Sequence, residues 1–160
     1  MKAVRAGGTD GTDASGCSLI ASVWFGGGSS RFYAEGMQPY EGLKAWHASH
    51  SLALAVFRAT RSWPRSELYG LTAQLKRAAI SAPTNLVEGR ARLGSREFRR
   101  FVGISLGSLA EVGYLLRFAY ELKLLSEHDW TALEKQRESA SKLTWLLLKS
   151  LREAEEHRPS

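Results

Sequence analysis

Seven lysines and arginines fall between positions 70 and 100: Lys76, Arg77, Arg90, Arg92, Arg96, Arg99 and Arg100. Only Glu88 and Glu97 oppose them, which leaves the stretch at a formal +5. Cations at this density neutralise phosphates and release their counterions, so binding of this kind weakens steeply as salt is added. Arg92 sits in a turn bounded by Gly89 and Gly94, while Arg96, Arg99 and Arg100 recur at helical steps and share one face. The competing reading is a solvated face, or ion pairs to acids of a neighbouring subunit. The whole chain of 160 residues carries +6, a balance that favours contact with polyanions.

Other chemistries find little support. The chain has no Gly-x-Ser-x-Gly elbow, no phosphate loop and no His-Glu-x-x-His motif, so no enzyme class is indicated and no cofactor is expected. His47 and His50 lie three apart, but no Glu-x-x-His pair accompanies them, which leaves no ligand set for a di-metal bundle site. They read instead as an exposed His47 and a His50 at the core edge. Asn85 and Glu88 follow Pro83, and both are expected to satisfy polar groups that a helical proline exposes rather than to catalyse. A buried Glu88 would need a partner, with Arg77, Arg92 or a freed amide near Pro83 in reach. Cys17 is the single cysteine, so neither an intrachain disulfide nor a cysteine-built zinc site is available, and a cytoplasmic setting is expected. Trp46, Phe57, Tyr69, Phe98, Phe101 and Tyr120 fit either a stacking platform for bases or a core and subunit interface.

These residues have to be positioned by helices. From Glu41 onward apolar residues recur at three- and four-residue steps between short breakers. The pattern predicts a first helix over 41–61, with Leu43, Trp46, His50, Leu54 and Phe57 as its stripe and Ala45, Leu52, Ala53 and Val56 thickening it. Pro64 stops it, and Ser66 offers a cap for a second helix. Pro83 should kink that helix near residues 80–82, and Gly89 to Gly94 end it. A third helix follows from Ser95 to about Leu122, where Gly103, Gly107 and Ala110 make a small-residue stripe that suggests a close neighbouring helix. The fourth opens at Ser126 with acids in its first turn, and its charged end from Arg152 is expected to fray. Four such helices with short connections describe an all-α, antiparallel up-and-down bundle over residues 37–156, with a frayed tail at 157–160.

The first 36 residues differ, holding eight of the chain's 15 glycines in a Ser/Thr-rich setting without periodicity. They are expected to be a disordered or non-native extension, with Met37 as the natural start. The apolar run 17–25 is too short to span a membrane, and no membrane contact is expected.

Several short motifs now stand in register: Leu43-Lys44-x-Trp46; Pro64 with Glu67-x-Tyr69-Gly70-Leu71-Thr72-x-Gln74-Leu75; and Arg77-Ala78-Ala79-x-Ser81-x-Pro83-x-Asn85-x-x-Glu88-Gly89. Arg96-Glu97-Phe98, Phe101, Gly107-Ser108-Leu109 and Glu111 continue them. This run resembles the four-helix bundle family encoded by intervening sequences of bacterial 23S ribosomal RNA genes, over most of Leu43 to Leu125. Val87, where isoleucine or alanine is usual, and the unmatched first 36 residues depart from it. The resemblance implies a left-handed up-and-down bundle assembling as a homopentamer, with Pro83, Asn85, Glu88 and Gly89 as its structural signature. It also implies kinship with accessory proteins of diversity-generating retroelements, whose basic pentamers associate with reverse transcriptase and nucleic acid. It implies no activity. The expected function is therefore non-enzymatic binding of RNA or DNA by a helical oligomer, the alternative being a scaffold that docks a protein.

Overall fold

The computed structural model describes residues 38–67, 70–92 and 94–156, so the N-terminal 36 residues, Tyr69 and the tail 157–160 lie outside the described residues. Four helices make up almost all of the rest: α1 Lys44–Ala59, α2 Leu71–Ala91, α3 Ser95–Glu121 and α4 Glu127–Glu156. No strand occurs among the described residues. Each helix packs on two others in a closed cycle, α1 on α2, α2 on α3, α3 on α4 and α4 on α1.

The ends of the helices follow from local chemistry. Thr60 closes α1 by donating its hydroxyl to the Val56 carbonyl at 2.9 Å. The expected Ser66 cap does not open α2: Arg65–Glu67 is a single 3-10 turn, and α2 starts five residues later, after Gly70. Leu122 and Lys123 end α3 with two carbonyls satisfied, since the Lys123 amide donates to Tyr120 at 2.9 Å and the Leu124 amide to Ala119 at 2.9 Å. This reversal puts Lys123 at φ 63°, a left-handed conformation usually left to glycine. Ser126 caps α4 as expected, accepting the Asp129 amide at 3.0 Å and donating to the Asp129 carboxylate at 2.8 Å. The second bond, with His128 adding to it, holds the Asp129 carboxyl below its usual range. α4 continues through Arg152 to Glu156, further than its charged end suggested.

The core lies in two clusters. The larger gathers Leu52 and Val56 of α1, Leu75 and Ala79 of α2, Leu109, Val112 and Leu116 of α3, and Leu133 of α4. The smaller joins Ala45, Leu86, Phe98, Val102 and Leu148, drawn from the start of α1, the end of α2, the start of α3 and the latter part of α4. On α1 the buried face differs from the expected stripe. Ala45, Ser49, Leu52, Ala53 and Val56 are buried, whereas His50 is exposed and Leu54 and Phe57 remain 46% and 40% exposed. Small residues let the neighbouring helices approach, so the helix turns its alanine-rich side inward and leaves the bulky residues at the margin.

Glycines mark where helices touch and where they do not. A Cβ on Gly89 would lie 2.5 Å from the Phe101 Cβ, so α2 and α3 approach closely there. Gly103 and Gly107 were expected to admit a neighbouring helix, yet nothing within this chain lies within 4 Å of a Cβ added at either. They face outward on α3, together with the exposed Tyr114 and Phe118. By length and composition alone α3 could also cross a membrane, but 44% of that apolar window is buried inside the protein.

Candidate nucleic-acid interface

Around Pro83 the helix is continuous from Leu71 to Ala91, and side-chain donors serve several carbonyls there. Thr84 donates to the Ile80 carbonyl at 2.8 Å, Asn85 Nδ2 to the Ser81 carbonyl at 2.8 Å, and the buried Ser105 hydroxyl crosses from α3 to the Ala82 carbonyl at 2.8 Å. Ser81 and Ser108 share a further bond between hydroxyls at 2.8 Å. Asn85 thus contacts backbone near the proline, though the carbonyl that Pro83 leaves without its amide donor is that of Ala79, one turn before it. Glu88 does not: it points outward, its side chain 48% exposed, and takes the Arg92 guanidinium at 2.7 Å one turn along. Exposed i,i+4 pairs of this kind contribute about 0.3–0.5 kcal/mol. Glu88→Ala is therefore expected to cost less than about 1 kcal/mol in chemical denaturation, and a loss above 2 kcal/mol would restore a core role for it.

The seven cations separate into three settings. Lys76 and Arg77 lie in the second turn of α2, where Lys76 Nζ sits 5.3 Å from the Phe57 ring centroid and Arg77 reaches Gln74 at 3.3 Å. At 1.5 Å rise per residue they are roughly 20 Å along the helix from Arg90. Arg90 and Arg92 lie over aromatic rings at the end of α2, 5.8 Å from Phe98 and 5.5 Å from Phe101, and the Arg90 Nε is buried without a hydrogen-bond partner. Phe98 and Phe101 are themselves buried, so these rings belong to the core edge and offer no face to a base.

Arg96, Arg99 and Arg100 form the third group, on the first two turns of α3. They line one open cleft of about 680 Å³, and Arg152 of α4 lines it with them. Two of the four are already engaged: Arg99 with Glu155 of α4 at 2.5 Å, and Arg100 loosely with Glu97 at 3.9 Å. Arg96 and Arg152 enter no ion pair or hydrogen bond among the described residues. Glu97, Gly103 and the buried Leu148 complete the wall, so one carboxylate lines the cleft with the four arginines. Arg152 was not among the residues singled out from the sequence. The signal that could have found it is the spacing of Leu147, Leu148 and Leu151, which carries the α4 pattern to its neighbourhood.

The histidines have ordinary contacts. His47 Nε2 lies 2.7 Å from the Glu41 carbonyl, and His50 stacks on Trp46 at 5.0 Å. Tyr120 stacks on Trp130 at 4.6 Å, within the packed helices.

Four long helices in a closed packing cycle define a small all-helical protein, with arginines gathered where α3 begins. Residues 41–145 match the family model described as 23S rRNA-intervening sequence protein, and the chain belongs to that family. Comparison with curated proteins finds no match.

Proposed function

We propose that this is a non-enzymatic, oligomeric helical protein that binds RNA or DNA through its basic surface. The observation that carries the reading is the convergence of Arg96, Arg99, Arg100 and Arg152 on one open cleft. Guanidinium groups present rigid forks of donors that match phosphate oxygens, and an open cleft admits a polymer where a closed pocket would not. The helices are taken to run up and down with α2 bent at Pro83; the mixed origin of the smaller cluster, from starts and ends of alternate helices, supports the first of these.

Self-association fits the outer face of α3. Ile104, Tyr114, Phe118 and Leu122 are 40–66% exposed, and Gly107 among them leaves the backbone open to close approach. A pentamer would multiply the chain's +6 fivefold and strengthen weak single-site contacts. The same apolar residues are what favours the second reading, a scaffold docking a protein partner.

A salt titration with structured RNA and duplex DNA tests the proposal. Changing Arg96, Arg99 and Arg100 together to alanine should weaken binding by at least roughly eightfold at 0.1 M salt and flatten the dependence on salt. Absence of binding at low salt, or indifference to the triple change, would favour the scaffold. Light scattering of the same samples gives the mass of the assembly, and a monomer would remove the oligomer.

A further inference from the structure

We infer that the cleft between the start of α3 and the end of α4 is a seat for a backbone phosphodiester, and that Arg96 and Arg152 are the two residues that hold it. The inference rests on the proposed binding of nucleic acid and names the part of the surface that does the holding.

The argument is one of charge and partners. Four arginines line the cleft, but Glu155 takes Arg99 and Glu97 lies beside Arg100, so two formal positive charges are left for a ligand. Those two belong to Arg96 and Arg152, which come from different helices and enter no ion pair or hydrogen bond among the described residues. Two guanidinium groups lining one cleft from two different helices suit an anion with several oxygens in different directions, as a phosphate has. Gly103 lies in the same wall with nothing within 4 Å of the position of a Cβ, so a ligand can approach the α3 backbone there. Leu148 below is buried and apolar, which limits competing solvation on that side. The first turns of α3 add the positive end of the helix dipole; the acid-rich end of α4 works against it. Arg90, Arg92, Lys76 and Arg77 face rings, Glu88 or Gln74 and do not reach this cleft.

Glu155 gives the inference an outcome that simple loss of charge would not. It occupies Arg99 at 2.5 Å, so removing its charge should release a third guanidinium into the cleft.

The experiment measures binding of a fluorescently labelled RNA hairpin, and of duplex DNA of equal length, from 0.05 to about 0.5 M salt. The proteins compared are the full chain, Arg96→Gln, Arg152→Gln, Glu155→Gln, and Arg58→Gln as a control that removes one exposed cation elsewhere, on α1. Circular dichroism melts accompany each protein. Arg96→Gln and Arg152→Gln should each weaken binding roughly eightfold at 0.1 M salt and lower the salt slope by about 0.9, as expected for one lost phosphate contact. Glu155→Gln should bind several-fold more tightly with a steeper slope. If the full chain binds and both arginine variants fall no further than Arg58→Gln, the seat is wrong while nucleic-acid binding stands. If the full chain binds neither probe at the lowest salt, the reading beneath it is wrong.

Discussion

Gly89→Ala should lower the melting temperature by roughly 5–10 °C, corresponding to a loss of about 2 kcal/mol for a domain of this size. Two effects of opposite sign compete at this position. Alanine is about 1 kcal/mol better than glycine inside a helix, so an open site would gain from the change. At Gly89 the new methyl would lie 2.5 Å from the Phe101 Cβ and 3.1 Å from Phe98 Cδ2. A Cβ is fixed to its backbone and cannot swing aside, so α2 and α3 would have to part, and overpacking of a fitted core costs about 1–3 kcal/mol or more. The steric term wins. Gly107→Ala supplies the internal contrast: with open space around it, the isolated chain should become about 1 kcal/mol more stable. A Gly89→Ala protein that melts at or above the parent temperature would show that the two helices are not in such close contact.

Leu86→Ala should cost about 2–5 kcal/mol in urea or guanidinium unfolding, the range for emptying a fully buried leucine site. Leu86 is 0% exposed and belongs to the smaller cluster with Phe98, Val102 and Leu148, against which Leu43, Trp46 and Leu106 also pack. That cluster lies beneath the arginine cleft, since Leu148 is common to both, so the variant should also reduce nucleic-acid binding by loosening the α3–α4 contact. Because Phe98 shares the cluster with Leu86 and lies 3.1 Å from the Gly89→Ala methyl, the two changes should fall slightly short of adding: the space left by Leu86→Ala can relieve the Phe98 contact, while the 2.5 Å contact with the Phe101 Cβ remains. A double variant whose loss equals the sum of the single losses would show that they do not share Phe98.

Four helices, and the bounds of α3 within a residue, were legible from the chain alone, because three- and four-residue apolar steps and Gly, Pro and Ser punctuation are local signals. The inward face of α1 was legible in part. Ala45, Leu52, Ala53 and Val56 lie on it as expected, but the packing chose Ser49 over Leu54 and Phe57 for reasons that depend on how near the neighbouring helices come. Glu88 was expected to satisfy polar groups that the helical proline exposes, while its position on the turn carries it outward to Arg92. On the candidate interface, Arg96, Arg99 and Arg100 were visible as a face of one helix. Arg152, more than fifty positions away, joins them only through the approach of α4 to α3, which no spacing along the chain encodes.

The hydroxyl bonds between α2 and α3 bear on register. The α2 surface that meets α3 is rich in alanine, at 78, 79 and 82, and such small, similar contacts resist axial sliding weakly. Ser105 bonded to the Ala82 carbonyl, and Ser81 bonded to Ser108, are not interchangeable with their neighbours one turn away. A slip of one turn, about 5.4 Å, would leave a buried hydroxyl and a carbonyl without their partners, at about 1–3 kcal/mol for each unsatisfied group. These two bonds therefore act as an index mark along the helix axis, and the height of Arg96 relative to the end of α2 is set, in part, by serines two to three turns further along α3.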